Sequence, residues 1–165
     1  MQSSTLPLDS LLTLLLEAEL RFAAAYAQNP DALYTLLHHT AARLVPVDSC
    51  YICLSFQNEQ VLHFVYTFDG NVFNDPVSMP MGDGPTSTVM RSKKAFVLSA
   101  TTEPVQAAGT SFGDIHKVSR SALHVPMRVA MSGEERIVGV FSVQSYEQDA
   151  YTHNATALIQ WLANS

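Results

Sequence analysis

Apolar residues recur every three or four positions near the start of the chain. The positions that keep this spacing are Leu8, Leu11, Leu15, Ala18, Phe22 and Ala25, and Leu12, Leu16, Ala23 and Tyr26 widen the stripe. Such a stripe is typical of an amphipathic helix and predicts one over residues 9–27. Because the stripe is wider than a single contact face, we expect one side to meet the domain and another to meet a second copy of the chain. Pro30 and Asp31 interrupt the pattern and begin a second helix.

Strand patterns follow this helical region. Residues 49–56 (SCYICLSF) and 61–68 (VLHFVYTF) are rich in β-branched and aromatic residues and flank the polar turn QNEQ, which predicts two strands. Further elements are expected as a short helix at 85–92, a strand at 95–99, a closing hairpin with strands at 122–131 and 136–146, and a last helix at 152–164. Residues 71–81 are expected to be a loop with at most a short extended piece. Consecutive hairpins among helices predict an α+β domain built on an antiparallel sheet.

The stretch 81–96 (MGDGPTSTVMRSKKAF) admits two interpretations. Gly82 and Gly84 relax the backbone and Pro85 suits a first helical turn, so the backbone donors that follow could bind an anion. Gly-x-Gly alone is a weak signal, because the third glycine of a dinucleotide fingerprint and the Gly-Lys-Ser/Thr of a P-loop are both missing. A capped structural helix is the favoured interpretation, and an anion or ligand contact is the alternative.

The composition changes this picture in two ways. The chain is 47% hydrophobic and only 15% charged, whereas an average soluble domain is about 25% charged. We therefore expect a partner chain to cover part of the surface. The net charge is −6 and the densest basic cluster is Arg91, Lys93 and Lys94, which is too small to follow a nucleic-acid backbone. The N-terminal LLTLLL lacks a preceding positive residue and no stretch reaches the ~18 apolar residues of a membrane span, so a cytoplasmic protein is expected.

The cysteines and histidines are expected to be structural. Cys50 and Cys53 are three apart in a predicted strand, where they point to opposite faces with Cα atoms roughly 10 Å apart. A disulfide needs about 4.4–6.8 Å, so this pair can neither bridge nor bind one ion. His38 and His39 point about 100° apart on a helix and the other histidines are scattered, so no metal site is predicted. No serine is singled out by its spacing as a nucleophile.

Several segments, in this order and spacing, resemble a GAF domain. They are VPVDSCYICLSF, FDGNVF, MGDGPTSTVMRSKKAFVLS and the run from SALHVPM to IQWLA, and the likeness covers residues 30–165. GAF domains are small-molecule sensory domains of bacterial signalling proteins and phosphodiesterases. The resemblance implies a central antiparallel sheet of about six strands, with the terminal helices on one face and a ligand cap on the other. Residues 1–29 would then form a separate N-terminal helix for dimerisation and signalling.

The resemblance also implies partners. Terminal helices of such domains commonly build a homodimer and pass a signal to a covalently linked output domain, for which a diguanylate cyclase or a histidine kinase would be suitable. Residues 100–120 are rich in Thr, Ser and Gly, and a connection this long is expected to form a lid or to contain a short helix. In a GAF-like fold it would cap the bound ligand.

Specialised relatives are disfavoured by missing residues, so the ligand and any cofactor stay unidentified. Free methionine sulfoxide reductases of this kind need cysteines in the middle and later parts of the chain, and bilin-binding members need a late cysteine beside a histidine. Here no cysteine follows Cys53, although His116 and His124 are present. The Asn-Lys-Phe-Asp-Glu signature of cyclic-nucleotide binders is also missing. A binding module without catalysis of its own is therefore expected.

The pocket implied by the resemblance would be lined by strand residues and capping segments. The candidate ligand-binding residues are Tyr51, Cys53, Tyr66, Phe68, Thr86, Met90, Ser121 and His124. Aromatic rings with a few hydroxyls and one titratable group are what small-molecule sites use. Their faces depend on strand register, since a slip of one residue inverts every side chain. The alternative function is a ligand-free dimerisation scaffold with a cavity filled by bulky side chains, namely Tyr51, Tyr66, Phe68, Phe96, Phe112 and Phe141.

Overall fold

Four helices and seven strands are present in the part of the chain that the computed structural model describes, which is residues 7–56, 59–99 and 118–165. The helices are α1 (Leu8–Gln28), α2 (Pro30–Leu44), α3 (Pro85–Ser92) and α4 (His153–Asn164). The strands are β1 (Ser49–Leu54), β2 (Val61–Asp69), β3 (Val72–Phe73), β4 (Val77–Pro80), β5 (Phe96–Ser99), β6 (Ser121–Met131) and β7 (Glu134–Ser145). The predicted α+β class with an antiparallel sheet is confirmed.

Local signals in the sequence fix the ends of the helices. The side chain of Asn29 accepts a hydrogen bond of 3.0 Å from the backbone N–H of Asp31, which caps α2 beside Pro30. The hydroxyl of Thr152 caps α4 in the same way, accepting from the N–H of Ala155 at 3.2 Å. At α3, Pro85 occupies the first turn, where its missing N–H has no cost. The bounds predicted for α3 are therefore confirmed.

The sheet has the strand order β3-β2-β1-β7-β6-β5, with β4 also pairing with β2, and every pair of strands is antiparallel. The expected number of about six strands is exceeded by one because residues 71–81, predicted to be mainly a loop, supply both β3 and β4. Gly70 and Asn71 both have positive φ angles, 53° and 79°, which suits a tight turn from β2 into β3. Pro80 is tolerated in β4 because that strand pairs on one side.

The two faces of the sheet carry different cores. The larger one lies between the sheet and helices α1, α2 and α4, and includes the fully buried Ile52, Phe141 and Ile159. A smaller cluster on the α3 face contains the buried Tyr51, Cys53, Leu62 and Phe64. Cys50 belongs to the first cluster and Cys53 to the second, so the two free thiols lie on opposite faces as predicted.

Helix α1 buries one side on the domain and leaves another apolar side uncovered in the single chain. Leu14, Ala18 and Phe22 are buried. Ala18 and Phe22 belong to the predicted stripe, whereas Leu14 does not. The second side is a stripe of leucines at four-residue spacing, between 51% and 75% exposed: Leu8, Leu12, Leu16 and Leu20. Within the described ranges, no helix combines the length and apolar character that crossing a membrane requires.

Candidate functional site

A row of paired residues crosses the sheet on the face that carries α3. In strand order from β2 to β5 it runs through Thr67, Tyr51, Ser142, His124 and Phe96, each opposite the next. Residues directly opposite one another in antiparallel strands share a face, so five side chains from five strands lie side by side. The first four are buried polar or phenolic residues. A polar row therefore lies under α3.

One short hydrogen bond joins this row to α3, and a second links two members of the row. The Tyr51 hydroxyl lies 2.6 Å from the Thr86 hydroxyl and 2.9 Å from Nδ1 of His124. Thr86 lies in the first turn of α3, so the contact fixes that helix over the sheet. All three side chains are buried. The arrangement is a three-member chain that runs from Thr86 through Tyr51 to His124.

Two polar atoms of the row remain without a partner. Nε2 of His124 and Oγ of Ser142 are inaccessible to solvent, and neither makes a well-formed hydrogen bond with the described residues, although the Ser142 side chain is close enough to the Tyr51 hydroxyl to lower its pKa. The two residues lie directly opposite each other on β6 and β7. An unsatisfied buried polar group costs about 1–3 kcal/mol, and nearly all such groups in native proteins are paired with protein, water or ligand. A group that formed hydrogen bonds with both atoms would remove this cost.

The described residues of the polar row carry no charge at physiological pH. Burial lowers the pKa of His124 to about 4, so its imidazole is uncharged. Burial also raises the pKa of the Tyr51 hydroxyl, and its contacts with the side chains of Thr86 and Ser142 offset part of that shift. Desolvation raises the pKa of the neighbouring Cys53 thiol to about 12, so the thiolate is strongly disfavoured. These groups can therefore bind a molecule through hydrogen bonds and not through charge.

An apolar wall adjoins the polar row. Three methionines, Met79, Met81 and Met90, pack against the cluster that contains Tyr51 and Phe64. Tyr51 belongs to both sets, because its ring packs in the cluster and its hydroxyl lies in the hydrogen-bonded chain. Thioethers are flexible and polarizable and adapt to irregular partners. The face thus combines a few fixed polar groups with an adaptable apolar surface, as ligand sites do.

A protein-family model described as the GAF domain matches residues 27–165 of the chain. The chain belongs to the GAF domain family. Solved structures of low sequence identity share its fold: the A. aeolicus nlh2 GAF domain in an inactive state has a TM-score of 0.65 at 14% identity, covering 93% of both chains. The GAF domain of a two-component sensor histidine kinase from Bacillus halodurans has a TM-score of 0.60 at 17% identity, covering 82% of this chain and 89% of that one.

An enzyme is also among the structural neighbours of this GAF domain. The type II free methionine-R-sulfoxide reductase from Thermoplasma acidophilum has a TM-score of 0.55 at 17% identity, covering 87% of this chain and 89% of that one. Sequence identity this low shows only that the fold is shared, so any function has to be argued from the residues of the site. A comparison with curated proteins gives no match.

The GAF fold gathers five of the eight candidate ligand-binding residues on the α3 face. Tyr51, Thr86 and His124 form the hydrogen-bonded chain. Cys53 and Met90 belong to the adjoining apolar cluster. A ligand-binding role for these residues remains a prediction, now restricted to one face of the sheet.

The other three candidates lie away from this face. The Tyr66 hydroxyl lies 2.8 Å from Nδ1 of His38 on α2, and the Phe68 ring centroid is 4.4 Å from that of His38, so both face the helices. Ser121 donates a hydrogen bond of 2.6 Å to the carbonyl of Glu147 and accepts one from the N–H of Ala150, which ties β6 to the segment before α4. These contacts give Tyr66, Phe68 and Ser121 structural roles away from the α3 face, although Tyr66 and Phe68 flank Thr67 of the polar row.

Ser142 is the residue of the site that sequence reasoning missed. It lies between Phe141 and Val143, which both point into the larger core. The alternation of a strand then places Ser142 on the other face, together with His124. A serine inside the apolar run VFSV is the signal that could have found it, since a hydroxyl buried in mid-strand needs a partner.

A second set of polar side chains lies on the edge of the sheet. Oγ of Ser78 is 2.8 Å from Nδ1 of His63, and Nε2 of His63 is 2.9 Å from a carboxylate oxygen of Glu59. The sequence spacing that was considered for a nucleophile does not single out Ser78. Ser78 and Glu59 are exposed and His63 is half-buried, and together they connect β4 and the segment before β2 to β2 itself. Their contacts stabilise the pairing of the edge strand β4 with β2.

Two side chains of α3 bind the loop that precedes this helix. The Ser87 hydroxyl accepts a hydrogen bond of 3.1 Å from the N–H of Gly82, and Arg91 donates one of 2.6 Å to the Gly82 carbonyl. Thr86 is already engaged with Tyr51. Gly84 is the N-cap residue of α3 and provides no side-chain hydrogen bond, so a capped helix and an anion or ligand contact both stay predictions for the Gly-x-Gly stretch. The predicted cap segment falls mostly in residues 100–117, outside the described residues.

Proposed function

We propose that this GAF domain is a sensory module that binds a small molecule on the α3 face of its sheet and signals through its terminal helices in a dimer. The observation that carries the proposal is the buried, unpartnered pair formed by Nε2 of His124 and Oγ of Ser142. A ligand that bonds to both atoms would remove two desolvation penalties at once. GAF domains of signalling proteins with the same fold, such as that of a sensor histidine kinase, support a sensory role.

The alternative, a ligand-free scaffold filled by aromatic side chains, has less support. Phe141, Tyr66 and Phe68 were candidates to fill the cavity, yet they pack on the helix face with the larger core. Tyr51 and Phe96 remain on the α3 face, and Phe112 lies outside the described residues. Apolar side chains that filled this face would leave the buried polar atoms without hydrogen bonds. The desolvation cost of those atoms would then remain, so a filled core is a poor explanation of this face.

We further propose that the module has no catalysis of its own. Reductase chemistry of a thiol kind needs a reactive thiolate, and no cysteine follows Cys53 in the sequence. Both cysteines are buried, and desolvation raises the pKa of each to about 12. At neutral pH such thiols are almost entirely protonated and poorly nucleophilic.

The exposed leucine stripe of α1 supports the dimer part of the proposal. Residues 1–29 would then act as a dimerisation and signalling helix and residues 30–165 as the sensory domain, in the cytoplasm of a bacterial cell. Four leucines at four-residue spacing form one continuous apolar edge, which a second copy could cover by helix pairing. A covalently linked output domain, such as a kinase or a cyclase, would read the change in helix pairing.

Native mass spectrometry of the freshly purified full chain tests the binding proposal. We expect a dimer that carries a discrete extra mass, and we expect this mass to leave under denaturing conditions. The ligand is bound at a buried site, so gentle ionisation should preserve it. A chain that carries no extra mass, and whose thermal midpoint no metabolite extract raises, would favour the scaffold.

Replacing Leu12 and Leu16 together by glutamate is expected to convert the dimer to a monomer. Both side chains are exposed in the single chain, at 51% and 63%, so the substitution should not disturb the domain itself. Light scattering during size-exclusion chromatography measures the mass. The matched control is Leu14→Ala on the buried side of α1, which should lower the free energy of unfolding by about 2–4 kcal/mol and keep the dimer. A dimer that survives both glutamates would contradict the helix-pairing proposal.

A further inference from the structure

We infer that the molecule bound on the α3 face is uncharged and flat, and that it presents a carbonyl oxygen, a hydrogen-bond acceptor with two lone pairs, to His124 and Ser142. The inference rests on the proposed function and deepens it by naming the chemical class of the ligand. It follows from the position of three protons, from the absence of charge among the described groups of the row, and from the apolar wall beside them.

The protons of the chain Thr86–Tyr51–His124 have two possible arrangements. In the first, the Thr86 hydroxyl donates to Tyr51 and the Tyr51 hydroxyl donates to Nδ1 of His124, so that Nε2 of the neutral imidazole carries the proton. In the second, Nδ1 donates to Tyr51 and Tyr51 donates to Thr86. The Thr86 proton then has no acceptor among the described residues, and Nε2 is an unpaired acceptor as well. The first arrangement leaves one group unpaired instead of two, so it is favoured.

A donor therefore points away from the chain at Nε2 of His124. The Ser142 hydroxyl, opposite it in the β6–β7 pair, adds a second donor that can rotate toward the same point. Side chains directly opposite in an antiparallel pair have Cβ atoms about 4.5–5.5 Å apart, which lets both donors reach one acceptor atom. Two convergent donors select a group that can accept twice, such as a carbonyl oxygen.

The same row disfavours a charged ligand. The residues that face His124 are Tyr51 from β1, Ser142 from β7, Phe96 from β5 and, through Tyr51, Thr86 from α3. None of them carries a charge, and burial keeps His124 itself neutral because it lowers the pKa of the imidazole to about 4. A carboxylate would have to lose its hydration without meeting a counter-charge among these groups, which is costly in a buried site.

The body of the ligand is inferred from the apolar wall. The centroids of the Tyr51 and Phe64 rings lie 5.2 Å apart, and the three methionines pack against the cluster to which these rings belong. Thioether sulfur makes favourable contacts with aromatic rings, typically at about 5 Å from the ring. A planar ring that carries the acceptor can contact this wall while its polar edge reaches His124.

Two fragments of the same shape test the inference: benzamide, a neutral ring with a carbonyl, and benzoate, its anionic counterpart. The full chain, labelled with 15N, is titrated with each fragment, and the histidine ring resonances are followed by NMR. We expect His124 to be protonated at Nε2 before any addition, and benzamide to shift that resonance. Benzoate should bind at least about tenfold more weakly, because its charge is not compensated.

Two variants assign the contacts. Ser142→Ala removes one donor and should weaken benzamide binding about fivefold to tenfold. His124→Asn keeps an acceptor for Tyr51 near the position of Nδ1 and removes the donor at Nε2, and it should weaken binding at least as much. The control is Tyr151→Phe, which deletes a buried hydroxyl on the helix side, where Tyr151 donates to the Pro46 carbonyl. This control should leave the affinity unchanged.

The outcomes separate the inference from the proposed function. Tighter binding of benzoate than of benzamide would overturn the uncharged class and leave a sensory site in place. Failure of both fragments to bind, or a proton at Nδ1 of His124, would overturn the inference. A co-purified mass in the native spectrum would then still support the sensory module. A chain without such a mass would contradict both the ligand inference and the proposed function.

Discussion

Replacing Gly139 with alanine is expected to lower the free energy of unfolding by at least about 4 kcal/mol, which is exceptional for a single added methyl group. Gly139 lies on β7 opposite Leu54, where the two central strands of the sheet meet. A Cβ at this position would overlap the backbone carbonyl oxygen of Cys53 and lie 3.2 Å from the Cα of Leu54. Both are backbone atoms, so no side chain can rotate away, and the strands themselves must separate.

The consequence would extend to the candidate site. Cys53 is two residues from Tyr51 on the same strand, so a displacement of β1 would move the hydroxyl that links Thr86 and His124. We expect the variant to lose both stability and any ligand affinity. Urea unfolding, followed by the fluorescence of the single tryptophan Trp161, measures the first effect.

Gly82→Ala is the matched control for this prediction. An alanine Cβ at Gly82 would meet no atom within 4 Å, and the φ angle there is not in the left-handed region. The backbone hydrogen bonds of Gly82 to Ser87 and Arg91 would be kept. The free energy of unfolding should change by no more than about 0.5 kcal/mol. Equal losses in the two variants would show that the packing of β1 on β7 is not the cause.

The helices could be predicted closely because their signals are local. Asn29 and Thr152 carry cap side chains within three residues of the N–H groups they satisfy, and Pro85 marks a first turn by itself. Such signals need no knowledge of distant residues. The same holds for the opposite placement of Cys50 and Cys53, since alternation along one strand decides it.

The faces of the strands could not be predicted with the same success, because β-bulges shift the register. From the hairpin turn, Met131 lies opposite Glu134, and an unbroken register would pair His124 with Phe141. A bulge between Met127 and Arg128 moves the pairing by one residue, so that His124 meets Ser142 instead. The polar pair on which the proposals rest is therefore a product of this bulge, and no local pattern in the sequence marks it.

A second bulge explains why Tyr66 and Phe68 lie on the helix face. The register between β1 and β2 shifts after Ile52, and Tyr66 pairs with Ile52 in the larger core, whereas Phe64 pairs with Cys53 in the smaller one. Aromatic residues at alternate positions of β2 thus divide between the two faces. The sequence run VLHFVYTF shows the alternation without showing where it slips.

Acidification is expected to destabilise the protein through His124. The unfolded chain binds a proton at this residue below about pH 6.5, the usual value for histidine. Burial lowers its folded-state pKa to about 4, so the folded protein takes up that proton only at lower pH. Between these two values the unfolded state binds more protons, and stability therefore falls as the pH falls. The contribution lost between about pH 7.5 and about pH 4.5 is roughly 2.5 kcal/mol.

His124→Asn isolates this term, because other groups also titrate in the same range. Burial lowers the pKa of His38 as well, and that residue is present in both proteins, so its contribution cancels in the comparison. We expect the wild type to lose roughly 2.5 kcal/mol more than the variant on acidification, as measured by urea unfolding at the two pH values. Parallel losses would mean that His124 is charged, or solvated, in the folded protein. A neutral His124 is also what the ligand inference requires, since a cationic imidazole would carry protons on both nitrogens, could not accept from Tyr51, and would favour an anion.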